Sequence, residues 1–65
     1  MSELQFSIYE LRARNRMTQA EVAKKVGVSL TSYNAWEKSI ANVTVSNVKK
    51  LADIFGVKLE DIKIE

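Results

Sequence analysis

Two glycines and a recurring opening phrase constrain this chain more than any other feature. Gly27 and Gly56 each close an apolar-periodic run, and there is no proline anywhere in the 65 residues. Glycine accepts the left-handed conformation at little cost, so both positions read as helix C-terminal caps. The openings are as regular as the closings. Met17-Thr18, Val28-Ser29 and Val43-Thr44 each place an apolar residue before a Ser/Thr, and another apolar residue follows five positions after the first: Val22, Tyr33 and Val48. This is the hydrophobic staple around an N-cap, three times over. Glu21 completes a capping box with Thr18, whereas Lys58 stands where the fourth staple, Val57 with Ile62, needs a cap.

This punctuation predicts five helices, at about 3–14, 19–26, 30–38, 45–55 and a short or frayed 59–62. Apolar spacings of three and four rather than two argue against strands, except in the alternating tail Ile62-Lys63-Ile64-Glu65, which reads as extended. The expected core comprises Leu4, Ile8 and Leu11; Val22, Ala23 and Val26; Tyr33 and Trp36; Val45, Val48, Leu51, Ala52 and Phe55; and a closing set of Val57, Leu59 and Ile62. Trp36 is expected in the core with its N–H near a polar rim. Residues 1–65 read as a single domain with a core at about 4–62, without a linker, internal repeat or low-complexity segment. A chain of this size buries only about 60% of its unfolded surface, so local signals and packing must agree.

The composition removes several function classes. With no histidine and no cysteine, the usual nucleophile, zinc and general-base schemes lack their parts, and neither an enzyme nor a metal or cofactor site is expected. No disulfide, no apolar run approaching the ~18 residues of a membrane span and no signal-peptide pattern point to a cytoplasmic protein. No small-molecule ligand is evident. The net charge of +2 is unevenly spread. Arg12, Arg14, Arg16, Lys24 and Lys25 face only Glu10 and Glu21 in residues 10–25, while residues 53–65 are acidic. A basic front of this kind attracts polyanions, although a solvated helix face has the same composition.

The segment between the second and third helices is more specific. Gly27-Val28-Ser29 is too short for side-by-side antiparallel packing, so the two helices must cross steeply, as in a helix-turn-helix. Here the sequence resembles the lambda-repressor-like, Cro/cI-type (XRE-family) helix-turn-helix DNA-binding domains. The resemblance runs from about Ile8 to Ile62. It is carried by Leu11-Arg12, Thr18-Gln19-x-x-Val22-Ala23, Gly27-Val28-Ser29, Trp36-Glu37 and Leu51-Ala52-x-x-Phe55-Gly56-Val57 in that order and spacing. It implies an all-α, compact five-helix fold with helices 2 and 3 as the helix-turn-helix, and an ion pair between Arg12 and Glu37. Ala23 is small, as a close helix crossing requires.

At about 100° per residue, Tyr33 and Trp36 mark the inward side of the third helix. Thr31, Asn34, Ala35 and Lys38 then point outward, with Leu30 and Ser32 on the flanks. In a helix-turn-helix this surface enters the major groove. Asn34 suits adenine, Thr31 and Ser32 can donate or accept, and Leu30 and Ala35 can pack on thymine methyls. The expected base contacts are therefore Leu30, Thr31, Ser32, Asn34 and Ala35, with A/T-containing half-sites favoured. The resemblance implies phosphate contacts from Gln19 and Ser29; Lys38, Arg14 and Arg16 are the further candidates. The whole is expected to act as a small, prophage-type transcriptional repressor without a separate sensor, a homodimer on a two-fold operator in duplex DNA, with Leu59–Ile64 as the dimer contact.

The sequence also departs from the family. Ser39 stands where a glycine is usual, so it is expected to take a conformation that glycine accepts more easily. Val43 stands where many members have proline. Ile40 and Ala41 are expected to be exposed, which favours the alternative of a protein-interaction or antitoxin-like module with weak or no DNA binding.

Overall fold

The computed structural model describes residues 5–64. Four α-helices follow one another: α1 (Ile8–Arg14), α2 (Gln19–Val26), α3 (Leu30–Lys38) and α4 (Val45–Phe55). Two 3₁₀ turns complete the order, Ile40–Asn42 after α3 and Leu59–Asp61 after α4. The expected fifth helix is thus a single 3₁₀ turn. Lys58 offers no acceptor to hold a first α-helical turn, and the Asp61 carboxylate instead accepts the Lys58 N–H at 3.1 Å. No strand forms among the described residues, and none of their helices is long and apolar enough to cross a membrane.

The first helix begins at Ile8 rather than residue 3. Ser7 takes extended angles and caps it, its Oγ accepting from Glu10 N while Glu10 Oε1 accepts from Ser7 N, both at 3.1 Å. The expected core residue Leu4 lies outside the described residues. Thr18, Ser29 and Thr44 each accept a backbone N–H three residues on, and Met17, Val28 and Val43 pack against the core. Gly27 (φ 94°) and Gly56 (φ 71°) both end their helices in the left-handed region. After α1 no glycine is available, and Arg16 takes that conformation itself at φ 55°.

The core gathers Ile8, Leu11, Val22, Ala23, Val26, Tyr33, Val48, Leu51, Ala52, Phe55 and Ile62. Ile40 joins them at 7% exposure, contrary to its expected position on the surface. Ser39 leaves α3 with extended angles (φ −153°, ψ 110°) that any residue adopts, so the glycine usual there is not needed. That extended step carries Ile40 inward, where the 3₁₀ turn seats it. Two expected core residues are exposed instead. Val45, at 66%, is the first residue of α4 and projects from its uncovered end; Leu59, at 38%, opens a 3₁₀ turn whose three-residue period turns it outward. Trp36 is half-buried and packs against the core edge.

The tail after the last turn is extended, and it has a partner. Phe6 N donates to Asp61 O at 2.9 Å and Lys63 N to Phe6 O at 2.8 Å, making a parallel bridge between Phe6 and Ile62. The two ends of the described chain are thereby tied at the base of the bundle.

Candidate nucleic-acid interface

The site is built where α2 packs against α3. The turn between them is set by Gly27, whose N–H and that of Val28 both reach the Ala23 carbonyl, at 2.9 and 3.0 Å. Ser29 then restarts the chain as a helix, its Oγ accepting Ser32 N at 3.1 Å and lying 3.0 Å from Ser32 Oγ. Val22 and Ala23 on α2 and Tyr33 on α3 are buried where the helices meet. Trp36 meets the Tyr33 ring edge-on, with centroids 6.1 Å apart and planes at 67°. The aromatic side of α3 therefore faces inward.

The opposite side is open. Leu30, Thr31, Ser32, Ala35 and Lys38 are exposed and Asn34 is partly so, forming a surface of mainly small side chains with one lysine at its C-terminal end. Among the described residues no segment covers it. Arg14 and Arg16 are exposed at the end of α1. The Arg14 guanidinium stacks on the Phe6 ring, 4.3 Å from its centroid, and Arg12 lies 5.3 Å from the centroid of Tyr9.

Behind α3 lies a polar network that holds it to α1 and α2. Arg12 Nε donates to Glu37 Oε2 at 2.6 Å and Nη2 to Oε1 at 3.3 Å, while Nη1 donates to the Met17 carbonyl at 3.0 Å. The two side chains keep only 16% and 8% of their surface in water. Burial alone would push the Glu37 carboxyl up; hydrogen bonds, led by those of Arg12, outweigh it and hold the group below its ordinary range. The same bonds raise Arg12. The Tyr33 hydroxyl is buried beside this pair without a hydrogen-bond partner among the described residues, and burial, reinforced by the neighbouring Glu37, pushes its pKa up.

Gln19, at the start of α2, belongs to the same network. Its Nε2 donates to Glu37 Oε1 at 2.9 Å and to Asn34 Oδ1 at 3.1 Å. This link to Asn34 has no periodic signature, since it joins two polar side chains 15 positions apart on different helices. The sequence signal that could have found it is the glutamate itself: a buried carboxylate with one guanidinium partner still has lone pairs to satisfy.

A helix-turn-helix family profile matches residues 8–62, from the first residue of α1 to the bridge at Ile62. The chain belongs to the helix-turn-helix family. Among its relatives is an uncharacterised HTH-type transcriptional regulator of Archaeoglobus fulgidus, 42% identical over 57 residues, covering 88% of this chain and 80% of the relative. Another, from Methanocaldococcus jannaschii, is 43% identical over 53 residues, covering 82% and 80%. The cryptic phage CTXphi transcriptional repressor RstR of Vibrio cholerae is 34% identical over 55 residues, which span 85% of this chain and 50% of that protein. No solved structure matches the chain significantly.

Proposed function

We propose that this helix-turn-helix protein is a sequence-specific, duplex-DNA-binding transcriptional regulator, a repressor of prophage type. The observation that carries the proposal is the two-sidedness of α3: Tyr33 is sealed into the protein and Trp36 packs at the core edge, while Leu30, Thr31, Ser32, Asn34 and Ala35 are left free to meet base edges. Small side chains let the helix sit deep in the major groove, where direct readout is possible. The relatives named as transcriptional regulators and as a phage repressor support the same role. It is a binding role rather than a catalytic one, exercised in the cytoplasm.

Phosphate contacts fall to the rim. Lys38, Arg14 and Arg16 supply charge, Ser29 its hydroxyl or backbone N–H, and Gln19 its backbone N–H, because both side-chain amide hydrogens are engaged within the protein. Two copies on a two-fold operator would set their α3 helices about 34 Å apart, one turn of DNA. The exposed Leu59 and Ile64 are the candidate dimer contact. The burial of Ile40 takes the larger apolar side chain out of the loop on which a protein-docking alternative drew, leaving Ala41 exposed there.

Selection of bound duplexes from a random pool tests the reading. The expected result is a two-fold sequence with A/T-containing half-sites, bound with an affinity that falls steeply as salt rises. Enrichment of no sequence, with salt-insensitive binding, would remove the protein from the DNA-reading class.

A further inference from the structure

An amide nitrogen has two hydrogens, and Gln19 uses both inside the protein, on Glu37 Oε1 and Asn34 Oδ1. This settles more than one orientation. Glu37 is held as a carboxylate by Arg12 and can only accept, so the end of the Gln19 amide beside it must be the NH2. The second hydrogen of that NH2 is taken by Asn34 Oδ1 at 3.1 Å, where an Asn34 NH2 would set two donors against each other. Asn34 must turn its carbonyl oxygen to Gln19, and its own NH2 is left without a protein acceptor among the described residues.

We propose that Gln19 is a positioning residue for base readout, relaying the fixed geometry of the Arg12–Glu37 pair to the amide of Asn34. The inference rests on the reading that α3 enters the major groove. Oriented in this way, Asn34 meets a base with NH2 as donor, while the second lone pair of Oδ1 can still accept. Adenine, with its N7 acceptor beside its N6 amino donor, satisfies both. A flipped amide at the same approach would set oxygen against N7 and NH2 against N6. Without Gln19 the two orientations would compete, and the preference for adenine would blur. The arrangement also gives the Gln19 side chain no hydrogen to offer a phosphate, since only its carbonyl oxygen remains.

The test compares Gln19→Met, which keeps chain length and the backbone N–H but removes both donors, with Asn34→Ala and the double variant, on the duplex selected by the wild-type protein and its single-base-pair variants. Asn34→Ala identifies the base pair that Asn34 reads. Gln19→Met is expected to reduce discrimination at that same pair on the order of tenfold, to leave affinity for unrelated duplexes within about twofold, and to add nothing in the Asn34→Ala background, as coupled residues do. A Gln19→Met protein that loses affinity equally on every duplex, or whose loss multiplies with that of Asn34→Ala, would overturn the proposal. A DNA-free measurement stands beside it. NMR of the wild-type side-chain amides is expected to show Asn34 in one orientation, and Gln19→Met to release it; an Asn34 amide already averaged in the wild type would refute the relay by itself. Failure of the wild type to select any sequence would count against the regulator reading instead, with the NMR result still deciding whether Gln19 orients Asn34.

Discussion

Glu37 accepts three hydrogen bonds, two from Arg12 and one from Gln19, so its charge holds together α1, α2 and α3 at one point. Removing that charge strands the guanidinium. A buried pair that loses one partner costs ~3–5 kcal/mol, but Arg12 keeps some contact with water and the Met17 carbonyl, so Glu37→Gln is expected to cost about 2–3 kcal/mol in denaturant unfolding. The pH dependence has a definite sign. Because the folded carboxyl titrates below its ordinary value near 4.5, the unfolded chain binds more protons as pH falls past that value. The pair's contribution is therefore complete above about 4.5 and is lost as acid titrates the folded group. Glu10 and Glu21, lowered first by the backbone N–H groups of Ser7 and Thr18, act in the same direction. Acid melts should consequently show a shallower decline for Glu37→Gln than for the wild type, with a remaining slope from the two caps. At this scale the sequence is legible unevenly: the resemblance implies Arg12 and Glu37 as partners, whereas the turn of Gln19 toward Asn34 depends on rotamers that no spacing encodes.

Among the elements, those marked by local chemistry follow the sequence closely. The N-caps at Thr18, Ser29 and Thr44 and the ends at Gly27 and Gly56 stand where the staples and glycines put them, since each depends on contacts within a few residues. The start of α1 was equally legible in Ser7 and Glu10, a capping box that the apolar run from Leu4 overrides when periodicity is read alone. Ile40, Val45 and Leu59 behave differently. Their burial is decided by how the chain leaves one helix and enters the next, and an exposed Val at a helix start has the same spacing as a buried one. The turn before α3 offers a clean measurement of local strain. A Cβ built on Gly27 meets nothing within 4 Å, so Gly27→Ala should cost only the left-handed backbone penalty, about 1–2 kcal/mol in thermal or chemical unfolding. A much larger loss would mean that the turn cannot keep its angles and that the crossing of α2 with α3 has shifted. Binding to the selected duplex would then fall along with stability, whereas pure backbone strain leaves it nearly intact once the protein is folded.

For the molecule as a whole, the decisive feature is the seam between Phe6 and the segment around Ile62. Ile62 is fully buried, and the backbone on either side of it is hydrogen-bonded to Phe6, so the tail closes the core rather than trailing from it. The alternation of the tail announces an extended segment, but nothing in the sequence says that Phe6 is its partner 56 positions away. The same ring carries Arg14, so docking the tail also fixes where one cation of the basic front stands. In a domain this small the core has little to spare: total stability at ~0.05–0.15 kcal/mol per residue is of the same order as the ~2–5 kcal/mol lost when a buried isoleucine becomes alanine. Ile62→Ala should therefore lower the thermal midpoint by roughly 10–30 °C, at ~4–8 °C per kcal/mol for domains of this size. Lys63, exposed next to it, provides the internal control. Lys63→Ala should shift the melt by no more than a few degrees, within the about ±0.5 kcal/mol usual for surface positions. Equal melting of the two variants by circular dichroism would show that the tail does not dock in solution, and the placing of Arg14 through Phe6 would lose its support.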